Sequence, residues 1–234
     1  MRVLVLSDIH GNLAALEAIP IDSYDAVVCL GDLVGYGPQP GAVVRWIREH
    51  ATLVLQGNHD RALADGVAPG CRAQFERLAQ ATAFLGRQQL SPEEIAYLGA
   101  LPRCATRSFD GIRYLFVHAT PGDPLYRYLG PEPQQWARET AGIDADVVVA
   151  GHTHIQFDIE AGARRVVNPG SVGQPKDGDP RAAFAVLDDG ELRAGRVNYP
   201  LDETIGSLKG AGVPPDAVTA LERLLRSGRA EHVA

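Results

Sequence analysis

Five short apolar runs constrain this chain most: residues 3–6, 26–30, 53–55, 114–117 and 147–150. Each is too short for a typical helix and is apolar at successive positions, so neither side suits water. That is the pattern of strands buried on both faces, in a sheet covered by helices. Helix-like stretches lie between them. Residues 13–19 follow Asn12, a good N-cap, and residues 42–50 follow a Pro/Gly turn. Residues 71–89 and 92–98 form a helical block, the second part starting at Ser91 with Glu94 at capping-box spacing. A further helix is expected over 132–140. Alternation of strands and helices defines an α/β sheet.

The last third has a different rhythm. Residues 156–160, 164–167, 182–188 and 191–199 are short strand candidates joined by glycine-containing turns such as Asp188-Asp189-Gly190. Strands this closely spaced predict an antiparallel, meander-like sheet. A final helix is expected over 215–226. No repeat or low-complexity linker divides the chain, so residues 1–234 are expected to form one domain of two sheets with outer helices. Residues 65–107 are expected to be a helical lid or insertion.

Hydrophobic residues are 45% and charged residues 22%, ordinary for a globular chain, which argues against disorder and coiled coil. The net charge of −7 gives no overall attraction to polyanions, so a protein that coats DNA or RNA is disfavoured. Cys29, Cys71 and Cys104 form no CxxC pair, which disfavours a zinc ribbon or a disulfide framework and suits a reducing compartment. The opening apolar run is too short for a signal-peptide core, and no run approaches the ~18 residues of a membrane span. The expected location is the cytoplasm.

The chemistry lies just after the strands. Residues 3–6 run into Ser7-Asp8-Ile9-His10-Gly11-Asn12, and residues 26–30 into Gly31-Asp32. Residues 53–55 run into Gln56-Gly57-Asn58-His59-Asp60, residues 114–117 into His118, and residues 147–150 into Gly151-His152-Thr153-His154. Open α/β sheets place their sites at the carboxyl ends of strands, so five distant segments deliver Asp, Asn and His to one rim. Of seven histidines, only His50 and His232 fall outside these segments. Imidazole, carboxylate and amide without thiolate suit Mn, Fe, Zn, Ni or Co rather than Ca, and suit a site of two such ions.

Other residues near these segments have plainer readings. Asn12 serves as an N-cap, Asn168 and Ser171 shape a turn, and Asp60 could cap the segment that follows it. Tyr36, Tyr126 and Tyr128 are candidate pocket walls, and Arg61 is a candidate phosphate contact.

The ordered set Asp8-x-His10, Gly31-Asp32, Gly57-Asn58-His59-Asp60, His118 and Gly151-His152-Thr153-His154 resembles the calcineurin-like metallophosphoesterase superfamily. The resemblance runs from residue 4 to about residue 173 and includes Asn168-Pro169-Gly170-Ser171. The segment Gly31-Asp32-Leu33-Val34-Gly35-Tyr36-Gly37-Pro38 looks like a bacterial branch labelled as related to diadenosine tetraphosphatases. The resemblance implies a four-layer α-β-β-α fold, two packed mixed sheets between helices. It implies that Asp8, His10 and His154 hold one divalent transition metal, that Asn58, His118 and His152 hold a second, and that Asp32 bridges them. It implies hydrolysis of a small phosphate ester, a nucleotide among the candidates, by hydroxide held between the metals. His59 is then the general acid at the leaving oxygen, oriented by Asp60, whose charge raises the imidazole pKa.

Phosphodiesters are the favoured substrates. Ser/Thr protein phosphatases of the superfamily have one arginine in the segment after Gly-Asp and another two residues before Asn-His. Here those places hold Tyr36 and Gln56, so a monoester dianion lacks two charge-assisted partners. The alternatives are a phosphomonoesterase or protein phosphatase and a dinucleoside polyphosphate hydrolase. A scaffold resembling the retromer subunit of this fold is disfavoured because His59 and every ligand position are present. A nuclease is disfavoured by the acidic balance and the lack of a basic stripe.

Overall fold

The computed structural model describes residues 1–230, so His232 lies outside the described residues. Strands β1 (Val3–Leu6), β2 (Ala26–Cys29) and β3 (Leu53–Val54) form from the first three apolar runs, separated by α1 (Leu13–Glu17) and α2 (Pro40–His50). Three helices follow: α3 (Asn58–Asp65), α4 (Ala73–Gln89) and α5 (Pro92–Ala100). Next come β4 (Cys104–Phe109), β5 (Ile112–Val117), α6 (Pro133–Glu139) and β6 (Val147–Ala150). The chain continues through β7 (Phe157–Ala161), β8 (Arg164–Asn168), β9 (Ala182–Asp188) and β10 (Glu191–Val197), then α7 (Leu201–Gly210) and α8 (Pro215–Ser227).

The ten strands form two five-stranded mixed sheets, ordered β10-β9-β1-β2-β3 and β4-β5-β6-β8-β7. β1, β2 and β3 are parallel, as are β5, β6 and β8, and antiparallel strands complete each sheet. The pleat explains the layering. Val3 and Val5 of β1 join a core with Val28, Tyr114, Phe116, Val147 and Val149 between the sheets. Leu4 and Leu6, pointing the other way, pack with Leu16, Val43, Val44, Ile47 and Leu98 from the helices behind. On the far side, Trp136 of α6 covers Leu115, Val117 and Val148. This is the expected α/β, four-layer α-β-β-α arrangement.

The last third departs from the expected single meander. β7 and β8 pair antiparallel, but β8 joins the second sheet beside β6. β9 and β10 form a hairpin that enters the first sheet beside β1. Spacing revealed the hairpins but not which sheet edge each would fill. β4 lies in the block expected to be helical; its side chains are mostly exposed at a sheet edge, so it has no apolar run to announce it. α3 begins inside the Asn58-His59-Asp60 motif, and α7 carries Gly206 and Gly210, so neither has a clear helical signature. Among the described residues no helix is long and apolar enough to cross a membrane.

Candidate metal centre

All five apolar runs end at the same rim, and the segments after them converge there. Each is stitched to the next by backbone bonds: Asp8 N–H to Gly31 O at 3.0 Å, His10 N–H to Asp32 O at 2.9 Å, and Gly151 N–H to His118 O at 2.8 Å. Asp8, His10, Asp32, Tyr36, His152 and His154 all adopt left-handed backbone, with φ between 50° and 64°. Such a conformation costs a non-glycine residue on the order of 1 kcal/mol or more, and it persists where neighbours over-determine it. Here the stitching bonds do so, and the result is a set of side chains aimed inward. Gly57 has a steric role of its own: a Cβ there would collide with the Asp32 carboxylate.

Two donor groups result. In the first, His154 Nε2 lies 3.2 Å from Asp8 Oδ1 and 3.1 Å from His10 Nε2. In the second, His118 Nε2 lies 3.1 Å from both Asn58 Oδ1 and His152 Nδ1. Asp32 stands between them, its Oδ2 3.7 Å from His10 Nε2 and 3.5 Å from His118 Nε2. Asp8, His10 and His154 form one cluster that could hold a metal ion, Asp32, His118 and His152 another, and His10, Asp32 and His59 a third. These ligand positions are all buried.

The surroundings aim each donor. His10, His118 and His154 direct Nδ1 at the carbonyls of Val34, Leu30 and Gln174, at 3.0, 3.0 and 2.6 Å. A ring that donates from Nδ1 presents the bare Nε2 lone pair inward. His152 is reversed: its Nε2 faces the Tyr126 carbonyl at 3.3 Å and Nδ1 faces inward. Asn58 donates Nδ2–H to Pro69 O at 2.8 Å, which turns its Oδ1 to the site. Asp8 Oδ2 accepts from the Ser7 hydroxyl at 2.5 Å and the His152 N–H at 2.9 Å. Its Oδ1 is buried without any hydrogen-bond partner. A buried carboxylate oxygen left bare in this way fits a cation between the side chains.

The electrostatics agree with a donor set. Burial lowers the pKa of His10, His118, His152 and His154, which keeps the rings neutral and free to ligate. Burial opposes ionisation of Asp8, yet His154, His118 and His10 hold its carboxyl well below the usual range. Burial, and then the charges of Asp8 and Asp60, push Asp32 well up. Repulsion of that kind disappears when cations sit among the carboxylates.

Several sequence expectations need correction. Asp60 does not orient His59. Its carboxylate accepts four backbone N–H bonds, from Asp32, Leu33, Val34 and Gly57, and so caps α3 and fixes the Asp32 loop. The His59 pKa is not raised but pushed down to about 3 by burial and by Lys176, His154 and His118. Arg61 pairs with Asp65 at 3.0 Å, one helical turn on. Tyr36 is not an open loop aromatic. It is 3% exposed, its ring packed against His10, His59 and Phe75. Tyr128 does line the site, its ring 3.9 Å from that of His152. Asn12 caps α1 as expected, and Asn168 and Ser171 shape their turn through bonds to Gly170 N–H and Gln174 N–H. His50 lies away from the centre, stacked on Trp46.

Two contributors went unnoticed in the sequence. The carbonyls that aim the histidines have no side-chain signature. Lys176, whose charge acts on Asp8, Asp32, His10, His59 and His154, has a faint one: arginine dominates the basic residues, and lysine occurs only at 176 and 209.

The fold and the histidine-carboxylate centre together define a metallophosphoesterase-type architecture. The chain belongs to the calcineurin-like phosphoesterase superfamily, whose domain matches residues 1–190. A metallophosphoesterase from Sphaerobacter thermophilus is similar over 97% of this chain and 99% of its own, with TM-score 0.81 and 32% identity. An uncharacterized protein of Methanocaldococcus jannaschii is 29% identical over 84% of this chain and 87% of its own. The Escherichia coli phosphodiesterase YfcE is 27% identical over 85% of this chain and 93% of its own.

Proposed function

We propose that this protein is a phosphodiesterase working with two divalent transition metals of the Mn, Fe, Zn, Ni or Co type. The observation that carries this reading is Asp32, one carboxylate facing His10 and His118 from two donor groups at 3.7 and 3.5 Å. Asp8, His10 and His154 would hold one ion, Asn58, His118 and His152 the other, with Asp32 shared. Ions bound in such a pair neutralise phosphoryl oxygens and activate water for in-line attack at phosphorus.

His59 is the proton donor to the leaving oxygen in this reading. Its ring lies 5.0 Å from that of His10, and among the described residues it hydrogen-bonds no carboxylate. Its backbone N–H is fixed to Asp32 Oδ1 at 2.8 Å, so its place relative to the shared carboxylate is set. A phosphoryl group entering beside it brings the negative neighbour that lifts an imidazole pKa lowered by burial.

The diester preference rests on missing guanidinium groups. Tyr36 and Gln56 occupy the two places where the resembling protein phosphatases have arginine. Gln56 is also turned away, donating Nε2–H to the Leu98 and Gly99 carbonyls at 2.9 and 3.3 Å. A monoester dianion therefore loses two bidentate partners that a diester monoanion needs less. The E. coli relative is named as a phosphodiesterase, which supports the same reading. Within residues 65–107, α4 acts as a cap in this reading, with Phe75 against the Tyr36 ring and Thr82 Oγ1 accepting from the Tyr36 N–H at 3.1 Å. Three cysteines without a disulfide agree with a cytoplasmic location.

The test compares kcat/KM in Mn²⁺ for bis(p-nitrophenyl) phosphate and p-nitrophenyl phosphate, which share a leaving group. Diester preference is expected. A monoester preference of about tenfold, roughly 1.4 kcal/mol of transition-state binding, rejects the diesterase reading. Absence of metal-dependent turnover on both esters rejects the enzymatic reading itself.

A further inference from the structure

Beyond the proposed metal ligands and His59, one charged side chain at this rim has no partner. Lys176 follows the Asn168–Gln174 turn, which is tied to the first strand through Val172 N–H to Ser7 O at 3.0 Å and Gly173 N–H to Asp8 O at 3.1 Å. Its own N–H donates to the His154 carbonyl at 3.0 Å. The next residue, Asp177, is pinned by the Gln156 N–H at 3.0 Å and by the guanidinium of Arg196. Lys176 is therefore mounted on a fixed segment, one backbone bond away from a donor of the first metal group.

Its ammonium lies near two aromatic rings, Phe75 of α4 and Tyr36 of the loop after β2. Nζ lies 4.0 Å from the Phe75 ring centroid and 5.9 Å from that of Tyr36. The Tyr36 ring in turn lies 4.9 Å from His10 and 4.7 Å from His59. Among the described residues, no carboxylate or carbonyl accepts a hydrogen bond from the Lys176 ammonium, and none pairs with it. An ammonium carries three donors and is strongly hydrated, so partial burial against two aromatic faces with no protein acceptor carries a desolvation cost that a bound anion would offset. The aromatic contacts recover only part of that cost.

The neighbouring arginines are placed differently. Arg61 pairs with Asp65, and Arg72 lies over the Tyr128 ring at 4.6 Å. Arg87 lines the cleft that His59 also lines, together with Leu63, Val67 and Ala83. A single ammonium is a compact point charge rather than a two-pronged fork. It matches one phosphoryl oxygen carrying one charge, the arrangement a diester presents.

We propose that Lys176 is the phosphoryl-binding cation of this site, donating from Nζ to a non-bridging oxygen of the substrate beside His59. The assignment rests on the phosphoesterase reading for its substrate, but it is tested by phosphate binding alone. Isothermal titration of the Mn²⁺-loaded protein with inorganic phosphate is compared for wild type, Lys176→Met and Lys176→Arg. Methionine can lie along the same two rings without the charge. The expected result is a tenfold or greater loss of phosphate affinity in Lys176→Met at unchanged metal content. Lys176→Arg is expected to stay within about threefold of wild type.

Three outcomes overturn the assignment: Lys176→Met binding phosphate within threefold of wild type, loss of affinity that follows loss of metal, or failure of Lys176→Arg to restore binding. Wild type that binds no phosphate also overturns it. Wild type that binds phosphate through Lys176 yet turns over no phosphate ester instead defeats the enzymatic reading. In the turnover assay, Lys176→Met is expected to raise KM at least tenfold.

Discussion

The backbone N–H of His59 donates to Asp32 Oδ1 at 2.8 Å. The proposed proton donor is thus hung on the carboxylate that faces both donor groups. Asp32 uses Oδ1 to place His59 and leaves Oδ2 toward His10 and His118. One side chain therefore sets the spacing between the two donor groups and His59.

Removing that carboxylate should strip the centre. Asp32→Ala is expected to retain less than one equivalent of metal where wild type, purified without chelator and reconstituted with Mn²⁺, holds up to two. Elemental analysis of the desalted proteins checks this. Full occupancy together with full activity in the variant would show that Asp32 does not bridge.

His59 should behave differently, because as the proposed proton donor it would stand beside the metals rather than on them. His59→Ala is expected to keep its metal content and lose kcat on the order of 10²–10⁴-fold. Esters with very good leaving groups should suffer less, since they need little protonation. The check is a series of aryl phosphodiesters graded by leaving-group pKa. An equal loss across the series, or release of metal, counts against the role.

The site was easier to read in the sequence than the fold's outer parts, for a physical reason. Strands 3–6 and 147–150 are short and buried on both faces, so their apolar runs end abruptly where the rim begins, and the polar residues that follow stand out as a group. Asp8, His10, Asp32, Asn58, His118, His152 and His154 could therefore be gathered without knowing strand order, and the structure brings them together. Asp60 was misread because pairing with His59 and capping of α3 give the same motif; only the four amides around its carboxylate separate the two. The burial of Tyr36 is not legible in the sequence because it comes from α4, far along the chain, through Phe75 and Thr82. The edge strand β4 and the two destinations of the final hairpins depend on packing between distant segments, which no local pattern carries.

Asp60 leads to a stability prediction. It is fully buried and satisfies four amides from two separate segments. Asp60→Ala leaves those N–H groups without an acceptor, at roughly 1–3 kcal/mol for each one that water cannot reach. The expected loss of unfolding free energy is about 3 kcal/mol or more, measured by urea denaturation of the metal-free protein. Asp60→Asn keeps one acceptor oxygen and should lose less. A loss below about 1 kcal/mol for the alanine variant would mean that the loops relax and rebond elsewhere.

Metal removal should be felt by the whole fold. Without cations the centre holds Asp8 Oδ1 with no hydrogen-bond partner and Asp32 pressed toward its neutral form by burial and by Asp8 and Asp60. The unfolded chain has no such preformed arrangement, so ion binding favours the folded state. At a free metal concentration of about 100 times Kd, one site contributes roughly 2.7 kcal/mol. For a chain of this size 1 kcal/mol corresponds to ~2–4 °C, so Mn²⁺ is expected to raise Tm by about 5–10 °C over the EDTA-treated protein. Ca²⁺ is expected to raise it far less, because half of the donors proposed for each ion are imidazole nitrogens rather than oxygens. Differential scanning fluorimetry across Mn²⁺, Zn²⁺, Ni²⁺ and Ca²⁺ makes the comparison. Equal shifts with Ca²⁺ and Mn²⁺, or none with any ion, would remove the metal centre from the account of this fold.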